Sequence, residues 1–376
     1  MKKLTYTSYI LFLFLGYIFT IVGVVSKNMA LSFNVTDADI IFAFTFFTVG
    51  TTSAIFINGI LLEKLSYKQE AVISFLLSLT GITGMVFSKN IFIFTLFLAI
   101  NGLGIGMLVS LGNHIIITMY EKERVQKLNI LNFFYSFGSV AGPIIAGYIV
   151  TYCHWGVVYG VGILFLLLIT ALILSCSYKL EEHGKENGVE SSEKWGKNIY
   201  FTAIAIFSYV LSEMIITYWV VAYVMERAGF TQIAGSKVLS VVWAAMTVGR
   251  FISGFATAKI EAKRYIQILG IIAAAGLVMI LFSKDSSVYI FAAVLGLGYS
   301  GLYATILSFG THQIKGKSTK LMTFFITCGS AGGIVAAPLS GFIRKSIGID
   351  GVIAAALIFV IVLLTSITIT SKSKEM

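Results

Sequence analysis

Tyr178-Lys-Leu-Glu-Glu-His-Gly-Lys-Glu-Asn-Gly-Val-Glu-Ser-Ser-Glu-Lys-Trp-Gly-Lys197 divides the sequence in two. Charged and small residues fill this stretch, so it can neither cross a hydrocarbon layer nor supply a core. What precedes it returns in outline after it. Gly102-Leu-Gly104 recurs as Gly296-Leu-Gly298, Lys127-Leu128 as Lys320-Leu321, and Phe133-Phe134 with Gly138-Ser139 as Phe324-Phe325 with Gly329-Ser330, at offsets of 194, 193 and 191 residues. A repeat this long is a whole bundle copied once and not a solenoid unit. The expected organisation is an N-terminal bundle over 1–177, a linker over 178–198 and a C-terminal bundle over 199–376.

Of the 376 residues, 57% are hydrophobic and only 12% charged, and the mean hydropathy is +0.92. That is far outside the range of soluble globular domains and reads as an integral membrane protein. Lipid offers the backbone no hydrogen-bond partner, so spans must be helices or a closed barrel. The long apolar runs favour helices over the short alternating segments of barrel strands. The runs predict twelve helices: 6–26, 40–62, 71–88, 91–118, 128–151 and 155–177, then 199–225, 234–258, 265–283, 287–312, 321–343 and 350–370. The fold class is therefore all-α, twelve transmembrane helices in two six-helix bundles.

The net charge of +10 does not mark a nucleic-acid binder, because the basic residues are scattered over short loops. Most of the 27 lysines and arginines fall on one side of the predicted spans; Lys27, Lys89, Arg227, Lys237, Lys284, Arg344 and Lys345 fall on the other, and Arg250 lies inside a helix. By the positive-inside rule both termini and the linker face the cytoplasm, in a multi-pass protein of the plasma (inner) membrane. Met1-Lys-Lys3 and the apolar run after it read as a retained first helix and not as a cleaved signal. Cys153, Cys176 and Cys328 lie far apart with no metal spacing and read as apolar fillers. No metal or cofactor is expected.

Glycines cluster inside helices, at Gly102, Gly104 and Gly106, at Gly138, Gly142 and Gly147, and at Gly329, Gly332, Gly333 and Gly341. Small residues let helix backbones approach closely in lipid, so these mark helix contacts. The two prolines, Pro143 and Pro338, sit in the fifth predicted helix of each half, where each weakens the local hydrogen-bond ladder and permits a bend.

The loop after the second helix reads Gly59-Ile-Leu-Leu-Glu63-Lys64-Leu-Ser-Tyr-Lys68, and the one after the eighth reads Gly254-Phe-Ala-Thr-Ala258-Lys259-Ile-Glu-Ala-Lys263. The first resembles the gating-loop signature of the major facilitator superfamily, and the second keeps the glycine and the bases with Ala258 in place of the acid. Phe33-Asn-Val-Thr-Asp37 and Gly249-Arg-Phe251 resemble the fucose, galactose and glucose:proton symporter family within it. Tyr303–Lys315, Lys320–Gly329 and Glu193-Lys-Trp195 are similar to its TsgA-like branch. The resemblance implies a secondary transporter that moves a small solute by alternating access, sugar-like and proton-coupled by family default, with no cofactor. Relatives carry an Asn-Asp pair late in the first helix and a glutamate before the fourth-helix asparagine. Here Val22-Gly23 and Val109-Ser-Leu-Gly112, ahead of Asn113, stand in those places. Those acids bind sugar and couple protons in the family, so that role does not carry over residue by residue.

Glu213 is the acid set deep in a predicted helix, about 21 Å along it from Ile199. An ionised carboxylate at mid-bilayer costs about 3 kcal/mol by insertion scales, so it must face water, find a partner or hold a proton. We take it as the candidate proton-coupling residue. Tyr209, Glu213 and Thr217 form one polar stripe at helical spacing, and Trp243, Thr247 and Arg250 form another. Arg250 either reaches toward Glu213 or an anionic substrate, or snorkels to the interface. Tyr299, Tyr303, Asn101, Asn113 and Thr20 complete the candidate cavity residues; the competing reading is that they hydrogen-bond helices to one another. No phosphate-binding loop, His-Glu-x-x-His or nucleophile elbow is present, which argues against an enzyme. The expected partners are a small-molecule substrate, protons and lipid, with no nucleic acid, and a monomer. Gly138-x-x-x-Gly142-Pro143 resembles an antiporter motif and leaves efflux of a metabolite or drug as an alternative; a non-transporting sensor or scaffold is a third.

Overall fold

The computed structural model describes residues 2–61, 65–120, 123–176, 195–314 and 318–370. Among them are fourteen helices and no strand. The chain forms two compact units, Met1–Gly184 and Lys185–Met376. The first holds α1 (Lys2–Thr20), α2 (Val22–Phe33), α3 (Asp37–Leu61), α4 (Tyr67–Phe87), α5 (Ile91–Met119), α6 (Arg124–Tyr152) and α7 (Gly156–Leu174). The second holds α8 (Lys197–Arg227), α9 (Gln232–Ala256), α10 (Ala262–Phe282), α11 (Val288–Tyr299), α12 (Leu302–Thr311), α13 (Thr319–Ile347) and α14 (Ile349–Ile369). Among the described residues eleven spans are long and apolar enough to cross a bilayer, and the bent pair α1–α2, taken as one span, makes a twelfth. Most of the expected linker, with Glu63 and Lys64 of the loop motif, lies outside the described residues.

Two of the twelve spans are broken, which hydropathy did not show. The first turns by 51° between α1 and α2. There the Thr20 hydroxyl donates to the carbonyls of Gly16 (2.8 Å) and Tyr17 (3.2 Å), a back-bonding pattern that loosens and bends helices. The tenth span breaks between α11 and α12 at Ser300-Gly301, where the Ser300 hydroxyl donates to Leu297 O at 2.7 Å. Gly249 and Ser253 of α9 seat this break: Ser300 Oγ occupies the space a Cβ on Gly249 would need, and Ser253 Oγ does the same at Gly301. Pro143 and Pro338 lie inside α6 and α13, which run on through them.

The repeat is visible as packing. In α5, Gly102 meets Phe47 O of α3 and Gly104 meets Ser78 of α4, so successive glycines admit helices from two sides. In α11, Gly296 meets Val242 O of α9 and Gly298 meets Ala273 of α10. The first helix of each unit lies against the fifth span in the same way: Leu13 O fills the space beside Gly138, and Phe207 O the space beside Gly332. Both residues of the second pair sit 194 positions after the first. Structure therefore matches Gly138 with Gly332, whereas the Gly-Ser dipeptides align it with Gly329. The dipeptide match was a three-residue slip, almost one helical turn, which keeps glycine on the same face and so looks right in sequence.

Between α10 and α11, Asp285 accepts from the backbone N–H of Ser287 at 2.8 Å. The Ser287 hydroxyl and N–H hold its carboxyl below the usual aspartate range. A lowered carboxyl stabilises the fold above its unfolded-state value and loses that contribution as pH falls through its folded value. Asp285→Asn is therefore expected to flatten the most acidic part of the stability profile in thermal melts, with little change at neutral pH.

Candidate functional site

Glu213 sits midway along α8, a 31-residue helix, and is only 9% exposed. Its Oε1 accepts from the Tyr209 hydroxyl one turn earlier, at 2.9 Å. Two further tyrosines stand around Tyr209. The Tyr299 ring meets it edge-on with centroids 5.9 Å apart, and the Tyr303 ring lies at 6.3 Å. They flank the Ser300-Gly301 break, so the interruption of the tenth span presents one from each side. The Tyr299 hydroxyl and Ser212 Oγ lie 2.6 Å apart, and Ser212 donates to Ala356 O of α14 at 2.8 Å. Thus the carboxyl is tied through one hydroxyl into an aromatic box whose far side is anchored on another helix.

Arg250 lies on the exposed face of α9, close enough for its charge to act on both Glu213 and the Tyr209 hydroxyl. The box is thus polar at Glu213 and aromatic elsewhere, a surface suited to hydroxyl-bearing rings. Thr217 and Thr247 do not extend it with free hydroxyls: the first donates to Glu213 O at 2.9 Å, the second to Trp243 O at 2.8 Å. Trp243 is buried.

The first-unit candidates lie apart from this cluster along the chain; Thr20 and Asn113 bind their own helices, whereas the Asn101 amide is buried with neither its oxygen nor its nitrogen hydrogen-bonded. Thr20 is buried on the Gly16 and Tyr17 carbonyls, and the Asn113 amide donates to Val109 O at 3.0 Å. Asn101 is fully buried against Gly81 of α4, the place Leu295 takes against Gly276 of α10 in the second unit. That makes Asn101 a seam residue between α4 and α5. Gly142 faces Thr20 and Tyr17, so the antiporter-like Gly138-x-x-x-Gly142 pattern is occupied by α1 backbone packing.

The loop motif keeps a shared role for its last base. Lys68 donates to Leu174 O at 3.0 Å, at the end of α7; Lys263 donates to Thr368 O at 3.1 Å and to Thr370 O, at the end of α14. Each cation meets orphan carbonyls at the negative end of its unit's last helix. Lys263→Met is expected to lower stability by about 1 kcal/mol and Lys68→Met by about 0.5 kcal/mol, read by denaturation midpoints. An unchanged midpoint in Lys263→Met would remove this role. Gly59 lies near the end of α3 and Gly254 lies in α9 with open space around it, while Lys259 follows α9.

Sequence reasoning missed a cluster at the C-terminal ends of α8 and α13. Arg344 pairs with Glu226 at 2.6 Å and lies 5.8 Å from the Trp219 ring, whose indole N–H donates to Ser340 Oγ at 2.9 Å. Arg227 pairs with Asp350 at 3.0 Å. Only the fold brings these residues from three helices together; the signal available was the excess of charge at three helix ends.

A twelve-span helical chain with a buried carboxylate on a broken-helix box matches one family model, Major Facilitator Superfamily, over residues 8–337. The chain belongs to the Major Facilitator Superfamily. Over 364 residues it is 29% identical to the protein TsgA homolog of Yersinia pseudotuberculosis, covering 94% of this chain and 91% of that protein. A crystal structure of nucleoside transporter NupG in mutant form aligns with TM-score 0.77 at 13% identity, over 97% of this chain and 98% of that one. The D-xylose-proton symporter aligns with TM-score 0.76 at 11% identity, over 99% and 98%. Superfamily membership makes the protein a multi-pass membrane transporter and not an enzyme.

Proposed function

We propose that the protein is a secondary active transporter that carries a small polyhydroxylated solute, with sugars and nucleosides the first classes to test, together with protons. The observation that carries this reading is the Glu213 carboxyl, buried midway along an apolar helix and bonded to Tyr209. Such a group tolerates its surroundings by exchanging a proton as access alternates. Tyr209, Tyr299 and Tyr303 supply ring faces and hydroxyls of the kind that hold a sugar ring. The cargoes named for the structural neighbours, D-xylose and nucleosides, both present a pentose ring. Both termini face the cytoplasm in the plasma (inner) membrane, and the working unit is a monomer.

Proteoliposomes with an imposed pH gradient, alkaline inside, test this reading against a panel of pentoses, hexoses and nucleosides. One class is expected to accumulate, and to leak back when a protonophore collapses the gradient. Exchange that ignores the gradient would remove the proton from the proposal. Failure of every panel member to exchange, with a metabolite extract exchanging instead, would remove the sugar-like cargo.

A further inference from the structure

A second buried carboxyl lies in the first unit, outside the site above. Glu70, in the first turn of α4, and Asn58, near the end of α3, are both 0% exposed, and the Asn58 side-chain nitrogen donates to Glu70 Oε1. The remaining oxygens of the two heads, Glu70 Oε2 and Asn58 Oδ1, are buried with no hydrogen-bond partner. An ionised carboxyl is acceptor-only, and a carboxamide oxygen accepts too, so neither can satisfy the other. One proton changes that. Placed on Oε2 it makes a donor for Oδ1, and acid and amide close a ring of two hydrogen bonds with no net charge.

We propose that Glu70 is a proton-binding site, holding its proton in this conformation as a neutral acid–amide clasp with Asn58 that joins α3 to α4. The clasp links two helices that each pack extensively on α5 and much less on one another. Neighbouring donors are committed elsewhere: Ser74 donates to Glu70's own carbonyl at 2.7 Å, Tyr67 to Cys176 O at 3.4 Å and Lys68 to Leu174 O at 3.0 Å. The other titratable groups that the described elements bring to this end are His114 on α5 with Tyr120 just after it, Cys176 just after α7, and Lys3 of α1, which donates to Ser175 Oγ at 2.7 Å; Glu63 and Lys64 lie outside the described residues, and α3 carries Asp37 and Asp39 at its far end. No charged side chain among the described residues acts on Glu70. Losing the proton leaves an unpaired buried charge facing an amide oxygen, so the clasp opens as pH rises. This inference is independent of the proton-coupling role of Glu213, since it rests on different residues in the other unit.

The test is difference infrared spectroscopy and thermal melting of the purified full-length protein across pH. A protonated-carboxyl band is expected in the wild type, to vanish in Glu70→Gln and to shift in Asn58→Ala. The wild type is expected to lose melting temperature as pH rises through the Glu70 titration. Glu70→Gln supplies the second donor permanently and is expected to keep the low-pH melting temperature without that loss. Absence of the band, or a wild type and Glu70→Gln that titrate alike, would overturn the proposal. Sodium restoring the melting temperature at high pH in wild type alone would replace the proton with a cation. Should Glu70→Gln not fold, an unshifted band in Asn58→Ala overturns it by itself.

Discussion

Glu213→Gln is expected to abolish accumulation driven by a pH gradient while leaving counterflow of the same solute in place. The substitution keeps the shape and the acceptor for the Tyr209 hydroxyl, which sits 2.9 Å from Oε1, and removes only the exchangeable proton. Coupling requires the proton and the solute to be loaded in the same state; an amide at this position is always in the loaded form, so exchange continues without net work. Tyr209→Phe should do less, because it deletes one hydrogen bond, worth about 1 kcal/mol, and leaves the titrating group. Uptake and counterflow measured side by side in proteoliposomes decide the matter. If Glu213→Gln still concentrates solute against its gradient, the proton moves elsewhere and the aromatic box serves binding alone.

Gly138→Val is expected to be the most damaging small substitution in the first unit. A Cβ at Gly138 would collide with Leu13 O, and one at the facing Gly16 with Tyr135 O; both obstacles are backbone, which cannot rotate away. Separating α1 from α6 to admit a branched side chain should lower stability by about 3 kcal/mol, the upper part of the overpacking range. Gly332→Val should reproduce this in the second unit, where Phe207 O is the obstacle. Gly160→Val is the control: nothing lies within 4 Å of a Cβ there, so its melting temperature should match the parent within error. Equal losses in Gly138→Val and Gly160→Val would mean that glycine content, and not this contact, sets stability.

The two glycine pairs also show where one-dimensional reading slipped. Gly-Ser dipeptides aligned Gly138 with Gly329, almost one helical turn from its packing equivalent Gly332. Asn101 was attractive as a cavity residue because it is polar in an apolar helix, yet it fills the seam position that Leu295 fills in the other unit. Thr20 likewise carried a hydroxyl that could have met a ligand and instead bends its own helix.

Hydropathy and the return of Gly102-Leu-Gly104 as Gly296-Leu-Gly298 determined by themselves that this chain is a once-duplicated helical membrane protein with one acid at mid-helix. Those features are local sums along the chain, and a bilayer reads them one span at a time. Tertiary structure alone decided the two helix breaks, the pairing of Tyr209 with Glu213 inside a box from three helices, and the burial of Glu70 against Asn58. A break depends on which side chain takes a carbonyl away from the ladder and which neighbour leaves room for the turn. A carboxyl near a helix start reads as interfacial until the next helix is seen to cover it. Both outcomes are properties of contacts between residues distant in sequence, and no window along the chain contains them.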